Sequence, residues 1–185
     1  MGVWWRQGAT AGLVAGLLAG CTLFGGGEPS IDTALRARRL MVPVAGIGPD
    51  DVPDTFDAPR AGGRRRHHAL DIPAPRGTPI LAADDGVVLE LRANRFGGLT
   101  IYATDPDRRF VYYYAHLDHY RAGLRRGATL AKGDVVGYVG TTGNADRAGP
   151  HLHFQVMVFP PGGEWWDGTP VDPRPYLASA GRVRD

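Results

Sequence analysis

The stretch His151-Leu152-His153-Phe154-Gln155-Val156-Met157-Val158-Phe159 decides the fold class of this chain. Side chains of a β-strand point alternately to opposite faces of the sheet. The even-numbered positions therefore share one apolar face, which forms a stripe of the core: Leu152, Phe154, Val156 and Val158. The odd-numbered positions give the opposite face to His151, His153 and Gln155. Two neighbouring imidazoles outside the core have little packing role, so this face indicates a metal or catalytic site.

Short β-type runs of this kind recur along the chain from about Arg60 onward. The predicted strands are Ala69–Ile72, Pro79–Ala82, Gly86–Leu91, Leu99–Tyr102, Phe110–His116, Asp134–Val139 and Leu152–Phe159. Turn sequences rich in glycine, proline and aspartate separate them. Many short strands at this spacing are typical of an all-β sandwich or barrel. The runs alone do not distinguish between these two architectures.

A second motif, His67-His68-Ala69-Leu70-Asp71-Ile72-Pro73, combines a histidine with a carboxylate. His67 and Asp71 are four residues apart, which places them on the same side of either a strand or a helical turn. Because Pro73 and the following Pro75 oppose a helix, extended backbone is favoured. His68 then points elsewhere and is a spare. Together with His153, this pair supplies two nitrogens and one oxygen, which is the usual protein ligand set of a catalytic zinc.

A third motif ends the aromatic run Phe110-Val111-Tyr112-Tyr113-Tyr114-Ala115-His116. Simple alternation places His116 on the same face as Phe110, Tyr112 and Tyr114. Taken alone, the run is an aromatic strand that happens to end in histidine. Beside the other two motifs, it makes His116 a candidate for the same site.

At this point the chain resembles the lysostaphin/LytM-type zinc metallopeptidases. The resemblance rests on His67-x-x-x-Asp71, Tyr114-Ala115-His116-Leu117 and Gly149-Pro150-His151-Leu152-His153-Phe154, in that order, and on the flanking sequences. It covers about Arg60 to Val158. One departure is Ala69, where the family usually has glycine two residues after the first ligand; no ligand is lost by it.

This resemblance implies a fold, a cofactor and roles for five residues. The implied fold is a compact antiparallel β-sandwich or barrel-like sheet of the duplicated hybrid motif type, with an open groove that holds one Zn²⁺ ion. His67, Asp71 and His153 would bind the metal, while His116 and His151 would be catalytic residues flanking its water. Which of these two is the general base stays open. The turns at Gly97-Gly98 and from Thr141 to Gly149 are expected to form groove walls.

The N-terminal region indicates export and lipid anchoring. Residues 1–20 read as a lipoprotein signal peptide, too short in its apolar part for a membrane span, and Leu18-Ala19-Gly20-Cys21 resembles a lipobox with Cys21 as the lipidated residue. The alternative is a plain secretory leader with a chance cysteine. Residues 21–59 are expected to be a flexible tether and irregular segment, with a short helix over Ile31 to Met41 capped by Ser30. Residues 60–178 are the predicted zinc metallopeptidase domain, and 179–185 a C-terminal tail.

Composition limits the classes of partner. Twenty-one basic and nineteen acidic residues in 185 give a net charge of +2, which gives no case for nucleic acid as the main partner. The one basic cluster, Arg64-Arg65-Arg66, reads as a solvated loop face. Glu164 and Asp85 could be proposed as general bases, but nothing near them in the sequence connects them to the metal motifs. We expect a monomer.

Three functions fit these features. The favoured one, following the resemblance, is a zinc endopeptidase that hydrolyses the peptide cross-links of peptidoglycan, with D,D-endopeptidase activity preferred over cleavage of glycine bridges. Thr22 after Cys21 resembles lipoproteins that reach an outer membrane, which would place the enzyme in the periplasm. The alternatives are a non-catalytic peptidoglycan-binding activator of a cell-wall amidase and an exported zinc peptidase acting on protein. Whether residues 30–59 cover the groove as an inhibitory segment stays open.

Overall fold

The computed structural model describes residues 28–178, and within that range one α-helix precedes thirteen strands. Three short 3-10 helices lie at Pro49–Asp51, Trp165–Asp167 and Arg174–Tyr176. The helix and strands are α1 (Ile31–Arg38), β1 (Leu40–Met41), β2 (Pro59–Arg60), β3 (Arg65–Arg66), β4 (Leu70–Pro73), β5 (Pro79–Leu81), β6 (Gly86–Asn94), β7 (Gly98–Thr104), β8 (Phe110–Tyr120), β9 (Thr129–Leu130), β10 (Val135–Val139), β11 (His151–Val158), β12 (Thr169–Val171) and β13 (Leu177–Ala178). All seven predicted strands are present, with ends shifted by up to four residues.

Nine of these strands form one curled antiparallel sheet, so the all-β prediction is confirmed. Its main path runs β12-β11-β8-β7-β6-β9; β4 pairs with β11, and β10 pairs with both β5 and β8. Strand β8 is the longest, at 11 residues, and contacts three neighbours. Because a long twisted strand can change partners along its length, the sheet curls into a half-barrel and leaves an open concave face.

The core lies behind that concave face, as the alternation in β11 predicts. Leu152, Phe154 and Val156 are fully buried and belong to one apolar cluster with Tyr112 and Tyr114 of β8. Burying a side chain of this size contributes roughly 1.5–3 kcal/mol. The polar face of β11 is thereby fixed toward the concave side.

The predicted helix in the N-terminal segment is present but three residues shorter than expected. The Ser30 hydroxyl accepts a hydrogen bond from the Thr33 amide at 3.2 Å, which is the predicted N-cap. The helix stops at Arg38 because Arg39 adopts a left-handed conformation with φ 48° and closes the last turn. The chain then becomes extended and forms β1.

Residues after α1 pack into the same core as the predicted peptidase domain. Leu40, Val42 and Val44 are buried, and β1 pairs in parallel with β13. The segment from Pro43 to Pro59 has little regular structure, as its four prolines suggest, yet Val52 also belongs to the core cluster. The part expected to be a tether and irregular segment is thus, from α1 onward, packed against the sheet.

A partly buried ion-pair network joins the end of α1 to the sheet. The Arg38 guanidinium contacts the Asp105 and Asp107 carboxylates at 2.5 Å each and the Asp84 carboxylate at 3.5 Å. The Lys132 ammonium contacts Asp84 at 3.1 Å and also donates to the Arg38 carbonyl oxygen at 2.5 Å. Asp84 and Asp105 are buried, so losing one partner would leave an uncompensated charge, a change that costs roughly 3–5 kcal/mol.

Cys21 and the lipobox, together with residues 179–185, lie outside the described residues. Among residues 28–178, no helix has both the length and the apolar character needed to cross a membrane.

Candidate metal centre

Three side chains converge at the concave face where β4 meets β11. His153 of β11 lies directly opposite Asp71 of β4 in the antiparallel register, and His67 approaches from the segment before β4. The His67 Nε2 atom is 3.0 Å from His153 Nδ1 and 3.1 Å from Asp71 Oδ1, while His153 Nδ1 is 3.1 Å from the same oxygen. The three atoms form a nearly equilateral triangle, as the sequence motifs predicted.

His67 reaches this position differently from the prediction of one extended strand. The chain leaves its strand conformation between Arg66 and Leu70, and His68 has a left-handed φ of 59°. The prediction failed because it assumed that side-chain alternation continues through residues 67–71. His68 itself points away from the site, as expected, and its exposed ring lies 5.6 Å from the Phe56 ring.

Thr55 holds both ends of the His67–Asp71 motif. Its carbonyl oxygen accepts a hydrogen bond from His67 Nδ1 at 3.0 Å. Its hydroxyl accepts from the Asp71 amide at 2.9 Å and donates to the Ala69 carbonyl oxygen at 3.2 Å. A carbonyl oxygen can only accept, so His67 Nδ1 carries the proton and Nε2 is left to bind a metal.

Arg60 forms an ion pair with Oδ2, the carboxylate oxygen of Asp71 that does not face the two histidines. Its guanidinium donates to Asp71 Oδ2 at 2.5 Å, leaving Oδ1 to face the two histidines. Burial acts to raise the pKa of the Asp71 carboxyl, but the close His153 and His67 imidazoles outweigh burial and hold the pKa well below its usual range. Asp71 is therefore a carboxylate at any physiological pH.

The donor set fits a zinc ion. Two imidazole nitrogens with one carboxylate oxygen are typical of catalytic zinc, which is bound at about 2.0–2.2 Å and leaves a fourth tetrahedral position open. Donors around such an ion lie about 3.3 Å apart, within a few tenths of an ångström of the distances found here. His67, Asp71 and His153 are the residues that would hold the metal.

A β-bulge brings His116 into the same site, which corrects its predicted orientation. Tyr114 pairs with Ile101 and Leu117 with Leu99, so two residues of β8 oppose the single Thr100 of β7. His116 is the extra residue and has a φ of 64°. Phe110, Tyr112 and Tyr114 are buried in the core, whereas His116 is rotated out of their face into the groove. Strict alternation fails wherever such a residue is inserted.

The backbone of two loops fixes the His116 imidazole. Its amide donates to the Gly97 carbonyl oxygen at 2.7 Å, and its Nδ1 donates to the Thr142 carbonyl oxygen at 2.9 Å. Nε2 of the neutral ring is therefore an unprotonated acceptor. Burial lowers the pKa of His116 to about 4, so the ring stays neutral at physiological pH.

His151 lies beside His116 and is held in a similar way. Its Nδ1 donates to the Gly149 carbonyl oxygen at 2.8 Å, and its Nε2 lies 3.8 Å from Asp71 Oδ1. The ring centre is 5.0 Å from that of His116, whose ring is in turn 5.7 Å from that of His153. The imidazoles of His116 and His151 thus both lie next to the three candidate ligands, each held through its Nδ1 atom by a backbone carbonyl oxygen.

These side chains lie in an open groove of about 670 Å³. The β2–β3 hairpin supplies one wall through Arg60 and Arg65. The other wall joins two loops: the Asn144 amide donates to the Phe96 carbonyl oxygen at 2.9 Å. Both turns predicted as walls therefore contribute, and none of residues 28–59 lines the groove.

The remaining candidates lie elsewhere. Asp85 accepts a hydrogen bond from the Lys132 amide and is exposed, and Glu164 is exposed beyond β11; neither lines the groove. The Arg64–Arg66 cluster is exposed, as predicted, although Arg65 also faces the groove. Sequence reasoning missed Thr55 and Arg60, because hydrogen bonds formed across 11–16 residues of irregular chain leave no periodic signal.

The chain matches the model of peptidase family M23 over residues 65–173. It is 36% identical over 126 residues to an L-Ala–D-Glu endopeptidase of Bacillus subtilis (strain 168), covering 65% of this chain and 37% of that protein. It is also 36% identical over 100 residues to the peptidoglycan DD-endopeptidase ShyC of Vibrio cholerae serotype O1, covering 54% and 22%. The chain thus spans well under half the length of these relatives.

Solved structures agree with this match. The catalytic domain of lysostaphin from Staphylococcus simulans superposes with a TM-score of 0.55 at 28% identity, covering 78% of this chain and 96% of that domain. A zinc-containing peptidase from Vibrio cholerae gives a TM-score of 0.56 at 25% identity, covering 74% and 40%.

Proposed function

The chain belongs to peptidase family M23, and from that membership we propose that it is a zinc-dependent endopeptidase that hydrolyses peptide cross-links of peptidoglycan. The observation that carries the proposal is the triangle of His67, Asp71 and His153 donor atoms beside the imidazoles of His116 and His151. The relatives named as endopeptidases support the reaction class. A non-catalytic amidase activator has less support. The chain keeps all three candidate ligands and both neighbouring histidines, so residues able to bind metal and to transfer protons are present: His67, Asp71, His153, His116 and His151.

Zinc bound at this triangle supplies Lewis-acid polarisation of a carbonyl and activation of a water molecule. The protein supplies the positions of the proton acceptors. His116 and His151 accept hydrogen bonds from the attacking water, and one of them receives its proton as the new carbon–oxygen bond forms. That proton passes to the leaving amine nitrogen when the carbon–nitrogen bond breaks, which regenerates the neutral ring.

One groove wall supports the proposed substrate class. Arg60, Arg64 and Arg66 each donate a hydrogen bond to a protein oxygen, whereas no such bond forms from Arg65 within residues 28–178. Arg65 therefore offers its guanidinium to the groove. An arginine there suits a free carboxylate of a stem peptide better than an uncharged glycine bridge. Together with the likeness to a DD-endopeptidase, this supports a D,D-cross-link as the scissile bond.

Digestion of purified sacculi tests the reaction. Resolved muropeptides should show loss of cross-linked dimers with the zinc-loaded protein and no loss after treatment with a chelator. Release of glycine oligomers instead would overturn the D,D assignment, and intact sacculi beside a cleaved protein substrate would overturn the peptidoglycan assignment. Arg65→Gln should raise KM for a dimer several-fold, while the matched Arg64→Gln should leave it unchanged. Equal KM values for the wild-type and Arg65→Gln proteins would show that Arg65 does not contribute to substrate binding.

The proposed location is the periplasmic face of an outer membrane, with a lipid anchor at Cys21. Support comes from the lipobox and from Thr22 after it. Metabolic labelling with a radioactive fatty acid should mark the full chain and not the Cys21→Ser variant, and membrane fractionation should separate the two. An unlabelled full chain would show that residues 1–20 are a plain secretory leader.

A further inference from the structure

The candidate metal ligands are held by a segment that precedes the family match. The M23 model begins at residue 65, yet Thr55 accepts hydrogen bonds from the His67 ring and the Asp71 amide, and Arg60 donates one to the Asp71 carboxylate. We propose that Thr55 and Arg60 are positioning residues of the metal centre, so that the segment before the family domain sets zinc affinity. The inference rests on the ligand set of the proposed function but not on its substrate.

Thr55 positions two ligands at once. Its carbonyl oxygen fixes the tautomer and the ring plane of His67, and its hydroxyl fixes the backbone of Asp71. The same hydroxyl donates to the Ala69 carbonyl oxygen, so its acceptor lone pairs point at the Asp71 amide. This three-bond contact bridges the irregular turn at His68, which lies outside the strands. Backbone hydrogen bonds from His67 to Ala58 and from His68 to Phe56 hold the turn to the same segment.

Arg60 positions the carboxylate of Asp71, whose backbone Thr55 holds. Its guanidinium binds Asp71 Oδ2, which prevents the carboxylate from rotating and directs Oδ1 to the two imidazoles. The side chains of Arg60 and Asp71 are 35% and 23% exposed, so this pair is only partly screened by water. Arg60 itself is held in place by the β2–β3 hairpin, where it pairs with Arg65.

Such outer contacts typically change metal affinity by 10–100-fold when they are removed. The hydrogen bond between His67 and the Thr55 carbonyl oxygen involves the Thr55 backbone and survives a side-chain substitution. Replacing the Thr55 side chain therefore mainly tests the contact of its hydroxyl with Asp71. Arg60 donates a hydrogen bond to Oδ2 of the Asp71 carboxylate, so it constrains the same ligand through a different atom. The two substitutions should therefore weaken zinc binding separately and show coupling when combined.

The test measures the zinc dissociation constant of the full mature chain by competition with a chromophoric chelator. Thr55→Val and Arg60→Gln remove the two contacts, and Thr55→Ser restores the hydroxyl. Thr78→Val is the matched control for the threonine, since the Thr78 hydroxyl donates to the Pro75 carbonyl oxygen and neither residue lines the groove. Arg64→Gln is the control for the arginine, on the same hairpin but bonded only to Ala61. Thermal unfolding of each metal-free variant reports on folding.

We expect the dissociation constant to rise 10–100-fold for Thr55→Val and about 10-fold for Arg60→Gln, and to stay within two- to three-fold for Thr55→Ser and both controls. Unchanged zinc affinity in folded Thr55→Val and Arg60→Gln would overturn the inference. If Thr55→Val fails to fold, Arg60→Gln decides alone. Failure of the wild-type chain to bind zinc would instead refute the proposed function, and zinc binding without hydrolysis would leave this inference standing.

Discussion

Replacing Gly143 by alanine should separate the two loops that hold His116. Gly143 has a φ of 74°, and a Cβ there would lie 2.3 Å from both the Gly98 amide nitrogen and the Phe96 carbonyl oxygen. Ordinary contacts begin at 3.4 Å, so the backbones must move apart by about 1 Å. The neighbouring carbonyls of Gly97 and Thr142 are the two that fix His116. Misplacing a catalytic group by 1 Å can cost about 100-fold in rate.

We therefore expect Gly143→Ala to lower kcat on cross-linked muropeptides about 100-fold while zinc stays bound at one equivalent. The metal ligands belong to other elements, so they should not move. Gly127→Ala is the matched control: Gly127 also has a positive φ, 79°, but nothing lies within 4 Å of an added Cβ. It should show only the strain of left-handed alanine, roughly 1–2 kcal/mol, or a few degrees in melting temperature.

Two outcomes would refute this reasoning. A Gly143→Ala variant with wild-type kcat would show that the loop contact does not position His116. An equal loss of activity in Gly127→Ala would show that general destabilisation, rather than displacement of one wall, limits the rate.

The remaining predictions concern the ligands, the catalytic histidines and the N-terminal segment. His116→Ala should keep zinc at one equivalent and lose hydrolysis by about 10²–10⁴-fold; full activity with zinc bound would contradict the assignment. His67→Ala should lose both metal and activity, and elemental analysis showing unchanged zinc would prove the ligand set wrong. A chain starting at Arg60 should bind zinc far more weakly than one starting at Thr22, because it lacks Thr55 and the core residues before it; equal affinity in a chelator titration would count against this. Burial lowers the pKa of His116 to about 4 from its ordinary 6.5. Between pH 4 and pH 6.5, this histidine therefore binds a proton in the unfolded chain but not in the folded protein. Stability of the metal-free protein should therefore fall as the pH drops from 6.5 to 4, and His116→Asn should reduce that fall by up to about 3 kcal/mol in urea titrations; parallel curves for both proteins would refute it.

Much of the fold was predictable because local pattern and burial agree in the central strands. Alternation in β11 identified the core face and the histidine face together, since one side of the sheet is buried and the other is polar. The turn residues located the strand ends to within a few positions. Sandwich and barrel could not be distinguished, because the curl depends on how β8 divides its pairing among three neighbours.

Three features of the site escaped prediction for different physical reasons. The orientation of His116 depends on a bulge, which changes side-chain parity without changing composition. The approach of His67 depends on a left-handed residue, His68, that is not glycine. The contacts of Thr55 and Arg60 join an irregular segment to the ligands, and neither periodicity nor motif spacing records such contacts.

The Arg38 network has a mechanical consequence. Any pulling force applied to the chain before α1 reaches Arg38 well ahead of Thr55. Contacts of Pro29 with Arg109 and of Asp32 with Tyr176 would resist that load first, and the ion pairs of Arg38 with Asp84 and Asp105 would resist it next. A displacement of α1 would therefore have to break these contacts before it could reach Thr55 and the His67–Asp71–His153 triangle.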